Sequence, residues 1–335
     1  MGKKGISVAG NLVVDILYPV TGLPKPGELT SIQDGITRST GGCVCNVVGD
    51  LAIMDPDLPI KALGRVGDDA DGDYLIDSFR PYKNADISMI RREGKTSFTA
   101  VMADTISKER TFFHYRGANA RFCEADIDWN QIDTDFIHIA YILILDALDQ
   151  SDAEYGTKMA RLLCHAKQRG IKTSIDVVSE AGDRFNRLVP PALKYTDYCI
   201  INEIEAGQVT GIPLRDAGGN LIQANIRPAL EKIRCLGVSQ WVVIHCPEGG
   251  FGIDQHMRYA ESPSLQLPPD YIKGTVGAGD AFCSGALYTA YQGGDLPEGI
   301  KLGNAAAAAS LSQPGATEGM LPAVELRRLG EKYLK

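Results

Sequence analysis

The residues best suited to chemistry form one run, Gly274-Thr275-Val276-Gly277-Ala278-Gly279-Asp280-Ala281-Phe282, at the entry of a helical pattern. Small residues let a backbone turn tightly and aim successive N–H groups at one spot. The helix that follows adds the positive end of its dipole. Such a turn is an anion cradle that needs no lysine, with Asp280 at its edge. An N-capping aspartate after a glycine-rich turn looks the same, and spacing alone leaves both readings open. Two other phosphate motifs fail. Gly94-Lys95-Thr96 ends like a Walker A loop, but Met89 occupies its first glycine position. The GAGDAF run puts Phe282 where a dinucleotide fingerprint needs its third glycine.

Three further groups are candidates. Gly41-Gly42 before a helical VVGDLAIM pattern, with Asn46 as donor and acceptor, could bring a ligand close to the backbone. Asn202-Glu203-Ile204-Glu205 follows a strand pattern, where carboxylates could hold a hydrated Mg²⁺; acids at an ordinary helix start look alike. Asp15 interrupts an apolar run and is either a strand's exit to solvent or a ligand group.

The elements that must position these groups follow a β–α–β rhythm. Strand patterns cover Ile6–Val14, Ile60–Arg65, Phe136–Leu143, Lys172–Val178, Tyr198–Ile201 and Trp241–His245. Helical patterns cover Ala153–Arg169, Arg184–Lys194, Ala224–Leu236, the stretch from Gly277 to Ala290, and Gly299–Ser312. This predicts a mostly parallel sheet covered by helices. Ser97–Asp104 and Arg110–Arg116 alternate like antiparallel strands, and Leu29–Arg38 reads similarly, so a small β-element is expected as a cleft cover or a surface hairpin.

Composition bounds the function. A chain of 335 residues suggests two domains or one large α/β unit. Net charge is −8 with no basic block, which argues against nucleic acid or a membrane surface as partner. No apolar run has transmembrane length, and Asn11 and Asp15 break up the N-terminal stretch that resembles a signal peptide. Eight scattered cysteines suit buried thiols in a cytoplasmic protein better than a disulfide frame or a zinc site. The 36 glycines exceed the usual share of about 7% and point to tight turns or close ligand approach.

Together these features resemble the ribokinase-like, or PfkB, carbohydrate kinases over nearly the whole chain. The resemblance rests on GNLVVD ending at Asp15, the GG…N turn, GRVGDDADG at Gly64–Gly72 and YRGANARF ending at Phe122. It continues through NEIE at Asn202–Glu205, GAGD, and the alanine-rich GNAAAAAS. It implies a three-layer α/β/α fold with a mostly parallel central sheet and a small β-sheet lid. The chain would be a single domain, 1–335, with the lid built from two segments, about 16–38 and 96–118. The implied reaction moves the ATP γ-phosphoryl group to a hydroxyl of a sugar or sugar-like polyol. Gly277, Ala278 and Gly279 would form the anion hole and Asp280 the general base. Asp15, Gly42 and Asn46 would hold substrate hydroxyls, and Asn202 and Glu205 would organise Mg²⁺, partly through water. Thr275, His245, Gly250 and Asn304 would touch the nucleotide. Such lids often pair, so a homodimer is expected.

The chain departs from the pattern at three places. Gly274 replaces the aspartate used near a monovalent cation, which puts potassium activation in doubt. His245-Cys246-Pro247 replaces a Thr or Lys segment by the phosphates; proline offers no N–H, so contact would shift to His245, Gly249 or Gly250, unless His245 is a core residue. Val13 and Cys43 stand where ribokinases carry polar sugar contacts, which argues against ribose. Arg116 could face an anionic sugar or be an exposed lid arginine. The rivals are a nucleoside kinase of the same fold and a non-catalytic nucleotide-binding regulator.

Overall fold

The computed structural model describes residues 4–107, 109–180 and 182–334. Ile6–Gly10 is buried at every position and forms strand β1. The chain then enters β2 (Val13–Val20), β3 (Thr37–Gly41) and helix α1 (Cys43–Met54). Next come β4 (Ile60–Val66), α2 (Ala70–Ser78), β5 (Ala85–Arg92), β6 (Ser97–Asp104) and β7 (Arg110–Tyr115). The middle supplies β8 (Phe136–Ile142), a hairpin of β9 (Ser151–Asp152) and β10 (Gly156–Thr157), then α3 (Lys158–Gln168) and β11 (Lys172–Val177). These lead to α4 (Phe185–Leu193), β12 (Tyr198–Asn202), α5 (Glu203–Thr210) and α6 (Gln223–Cys235). The chain finishes with β13 (Trp241–Cys246), β14 (Gly249–Ile253), β15 (Tyr259–Pro263), α7 (Ala278–Gln292), α8 (Leu296–Ser310) and α9 (Ala323–Tyr333).

The main sheet has nine strands in the order β15-β14-β13-β12-β11-β8-β1-β4-β5. It is parallel from β13 to β5, and β14 and β15 add an antiparallel edge. Strands buried on both faces are the expected companions of crossover helices. One apolar core joins the sheet to α1, α7, α8 and α9; the other joins its opposite face to α3, α4, α5 and α6. The three-layer α/β/α architecture is therefore as expected.

A second sheet, ordered β3-β2-β6-β7, stands apart from the first. It explains one difference from the sequence pattern. The run Ile6–Val14 is not one strand but two, because Gly10 has φ 134° and a Cβ there would overlap the Ala140 carbonyl. The backbone leaves the main sheet at that point, and Asp15 rides on the small sheet instead. The crossing is clamped by Asn119, which accepts from Leu12 N at 3.2 Å and donates to Leu12 O at 2.9 Å. This gives the YRGANARF segment a structural task. The GRVGDDADG segment has another. Asp69 caps α2 through Gly72 N at 2.9 Å and also accepts from Thr96 N at 2.9 Å, at the foot of β6.

Two boundaries also shift. Helix α3 begins at Lys158 rather than Ala153, because residues 151–157 fold into the small hairpin and Thr157 Oγ1 caps the helix through Ala160 N at 3.1 Å. Of Leu29–Arg38, only the end from Thr37 belongs to a strand. Ile32 makes an isolated bridge to Val20, and Gly35, at φ 94°, interrupts further pairing.

Candidate active site

Strand β1 lies between β4 and β8, so the order in which strands were added to the sheet reverses there. Ligand clefts in open α/β sheets form outside the carboxyl ends of strands at such a point. A cleft of about 890 Å³ occupies that position. Its floor takes Tyr141 from β8, Asp176 from β11, Asn202 from β12 and His245 from β13. The small sheet supplies the opposite wall, including Asp15, Thr99 and His114.

Helix α7 points its N-terminus into this space. Gly277 is its N-cap at φ 78°, where a Cβ would stand 2.6 Å from Ala316 Cβ. No side chain caps the helix, and Thr275, Gly277, Ala278 and Gly279 all line the cleft. The first N–H groups of a helix have no intrahelical partner, which suits them to an anion.

Asp280, in the first turn of α7, is 7% exposed. Its Oδ2 accepts from Asn46 Nδ2 at 2.8 Å, and Tyr141 OH lies 2.7 Å from Oδ1 and 2.9 Å from Oδ2. Burial raises its pKa, and the Asn46 and Tyr141 hydrogen bonds hold that rise in check. Burial also pushes Asp15 up to about 6, against the lowering effect of the Thr99 hydroxyl. Its carboxylate lies directly over Gly41, where any Cβ would collide with it, while Gly42 is the positive-φ N-cap of α1. The glycine pair therefore has two separate reasons.

Asn202 and Glu205 begin α5 as an ordinary helix start and also face the cleft. They form a reciprocal capping box, with Glu205 N to Asn202 Oδ1 at 2.9 Å and Asn202 N to Glu205 Oε2 at 3.1 Å, and both line the cleft. Burial raises the Glu205 carboxyl to about 7. Asp176 is raised well above its usual value by burial and by the nearby charges of Glu205 and Asp280.

His245 lines the cleft and also stacks on Phe282, with ring centroids 5.0 Å apart; burial lowers its pKa to about 4, so it is a neutral imidazole. Gly250 and Asn304 are not brought to the cleft lining. Gly250 is buried in β14, where a Cβ would stand 2.8 Å from the Phe282 ring. The Asn304 amide donates to Ser262 O at 3.0 Å and Pro263 O at 3.1 Å, tying α8 to β15. Cys43 is buried with its thiol toward the Ala140 carbonyl at 3.2 Å, so that position is core; Val13 does line the cleft. Arg116 lines the cleft without being a free cation. It donates to Glu180 Oε1 at 2.7 Å and also pairs with Asp146.

Sequence reasoning missed Tyr141, Asp176 and, on the small-sheet wall, Thr99 and His114. Tyr141 lies in FIHIAYI and Asp176 in KTSIDV, where a single polar residue near a strand end gives no distinct signal. A fully buried Asp50, its Oδ1 without a partner among the described residues, sits on α1 one turn after Asn46 and also escaped notice.

An uncapped helix start, a buried carboxylate beside it and a second sheet across the cleft are parts that phosphoryl transfer would need, on a doubly covered α/β sheet. The sequence matches the pfkB family carbohydrate kinase model over residues 3–323. It is 24% identical to a 5-dehydro-2-deoxygluconokinase of Clostridium perfringens, covering 96% of this chain and 91% of that protein. It is 25% identical to a ribokinase of Arabidopsis thaliana, covering 98% and 80%. The solved structure of Arabidopsis thaliana ribokinase complexed with ribose and ATP superposes with a TM-score of 0.77 at 19% identity, covering 98% of this chain and 99% of that one. The chain belongs to the pfkB family of carbohydrate kinases. It is an ATP-dependent kinase that phosphorylates a hydroxyl group of a sugar or sugar-like polyol.

Proposed function

We propose that Asp280 is the general base of this transfer. The observation that carries the reading is its buried carboxylate, held by Asn46 and Tyr141 at the start of α7, in one cleft with Asp15. The acceptor hydroxyl lies between them, with neighbouring hydroxyls donating to Asp15 and meeting Asn46 and the Gly42 backbone. As the hydroxyl oxygen bonds to the γ-phosphorus, the bond to the ADP oxygen breaks and the hydroxyl proton passes to Asp280. The N–H groups of Gly277, Ala278 and Gly279 meet the negative charge that spreads over the transferring oxygens. Thr275 and the neutral His245 lie toward the nucleotide phosphates.

The floor of the cleft fits a divalent cation. Asp176 and Glu205 are buried carboxylates; burial, and after it the nearby Glu205 charge, raises the pKa of Asp176. Among the described residues no three side chains of ligand type converge closely enough to hold a metal by themselves. Asn202, Glu205 and Asp176 would therefore hold Mg²⁺ partly through water, and the ion when bound neutralises phosphate charge. A monovalent cation has no side chain at position 274. A Cβ there would stand 2.8 Å from Pro314 Cα and O, so the departure is built into the packing.

We read the chain as one kinase domain whose small sheet, from the segments about 16–38 and 96–118, closes over the cleft and excludes water. Phe113 and Tyr115, 56% and 45% exposed on β7, suit pairing of two such lids in a homodimer. A cytoplasmic location agrees with ATP as donor and with eight free thiols. No helix among the described residues is long and apolar enough to cross a membrane.

The test is acceptor-dependent ADP release over a panel of sugars, sugar acids and nucleosides. Turnover is expected with Mg²⁺, is abolished by EDTA, and keeps its rate when potassium is replaced by tetramethylammonium. Turnover on nucleosides alone would favour the rival nucleoside kinase; ATP binding with no turnover on any acceptor would favour a regulator.

Tyr141→Phe tests the hydrogen bonding of the base. The Tyr141 hydroxyl favours the Asp280 carboxylate, so its loss raises that pKa further. The base must be ionised, and activity fails as pH falls through its pKa. The acid limb of the kcat profile is expected to move to higher pH in the variant. An unmoved limb would remove Asp280 as the group being titrated.

A further inference from the structure

The relatives' names include both a neutral sugar and a sugar acid, so the acceptor's charge is a question for this cleft's own residues. Its wall and floor are acidic, with Asp15, Asp176, Glu180, Glu205 and Asp280. The arginines lining it are Arg110 and Arg116, and Arg116 is already neutralised by Glu180 and Asp146. Arg110 is different. It starts β7 and faces the same cleft, and its guanidinium makes no hydrogen bond or ion pair among the described residues.

Register fixes which face it occupies. His114 pairs with Thr99 and Thr99 with Asp15; two residues along, Phe112 pairs with Val101 and Val101 with Leu17; two further, Arg110 pairs with Ala103. Side chains two apart share a face of a strand. Arg110, Phe112 and His114 therefore line up on the face that carries Asp15, and all three border the cleft. An acceptor with its hydroxyls on Asp15 would have this row, past Phe112 and toward Arg110, beside it.

We propose that the acceptor is a sugar acid whose carboxylate is received by Arg110; this rests on the sugar-kinase reading above. A guanidinium matches a carboxylate with two parallel N–H donors. One unpaired cation balances one negative charge. A sugar phosphate, a dianion near pH 7, would bring a second charge into a cleft already rich in carboxylates. Phe112, 63% exposed, offers an apolar surface beside the carbon chain between the two polar ends.

The experiment measures kcat/KM for three acceptor series, five- and six-carbon aldonates and ketoaldonates, the matching neutral sugars, and their monophosphates, with wild type, Arg110→Gln and Arg110→Lys. The expected result is preference for the acids. Arg110→Gln should raise their KM about 10- to 100-fold with kcat and the KM for ATP little changed. Arg110→Lys should recover part of the loss. Preference for neutral sugars, with activity still lost in Asp280→Asn, would overturn the proposal and leave the kinase reading intact. Preference for monophosphates would overturn the carboxylate assignment. A KM for ATP raised equally on every acceptor would assign Arg110 to the nucleotide instead. Turnover on none of the series would count against both readings.

Discussion

Asp280→Asn is expected to lower kcat by roughly 10²- to 10⁴-fold, the usual worth of a positioned acid or base, while the KM for ATP stays close to wild type. The amide can still meet Tyr141 and Asn46, so the local packing survives. What disappears is the group proposed to take the hydroxyl proton as the oxygen bonds to phosphorus. A carboxylate is a weak base toward an alcohol, yet proton loss can accompany attack, so orientation and timing matter more than basicity. Steady-state kinetics with a saturating acceptor make the measurement, and circular dichroism checks the fold. A variant retaining more than a tenth of the wild-type kcat would refute the assignment.

Gly277→Ala should be nearly as severe, through a different cause. The position has φ 78°, and a Cβ would approach Ala316 Cβ at 2.6 Å and its Cα and O at 2.8 Å. The backbone must therefore turn, carrying the start of α7 with it. Removing one well-aimed donor from an anion hole costs about 10²- to 10³-fold in kcat, and here the whole first turn is displaced. The strained conformation also costs on the order of 1–3 kcal/mol of stability. Thermal unfolding and kcat measured together distinguish the two effects. Restoring the midpoint with stabilising conditions should not restore the rate. Wild-type kinetics in this variant would mean that the turn does not hold the transferring group.

Much of this was legible in the sequence, and the reasons differ by residue. The GAGD turn stands out because a left-handed cap with no room for a Cβ leaves glycine as its only tenant. The alternation of β6 and β7 was readable because a strand with one open face obeys a period of two. Asp15 was recognisable by type, but its sheet was not. The departure at Gly10 depends on a close approach to Ala140, more than a hundred residues away in the chain. Tyr141 and Asp176 were hidden because one polar residue at the end of a buried strand looks like ordinary strand termination. Gly250 stood in for a phosphate contact that Pro247 cannot make and Asn304 lay in the late alanine-rich helix, yet one supports tight packing on Phe282 and the other ties backbone carbonyls. His245 was harder still, since it borders the cleft and stacks in the core at once.

The clamps at the foot of the small sheet give that sheet a mechanical role. Asn119 grips Leu12 on both sides, and Asp69 grips Thr96, so two crossings from the main sheet are pinned a few residues from where β2 and β6 begin. Asp15 lies just beyond the first pin, while Asp280 belongs to the body. On the proposed reading, the gap between Asp15, which would grip the acceptor, and Asp280, which would deprotonate it, depends on how the four-stranded sheet sits on these two pins. If that sheet closes as proposed, seating an acceptor and aligning it for attack would be one movement. A change at Asn119, which lines no part of the cleft, would then act on the reaction in the way a shifted fulcrum acts on a balance.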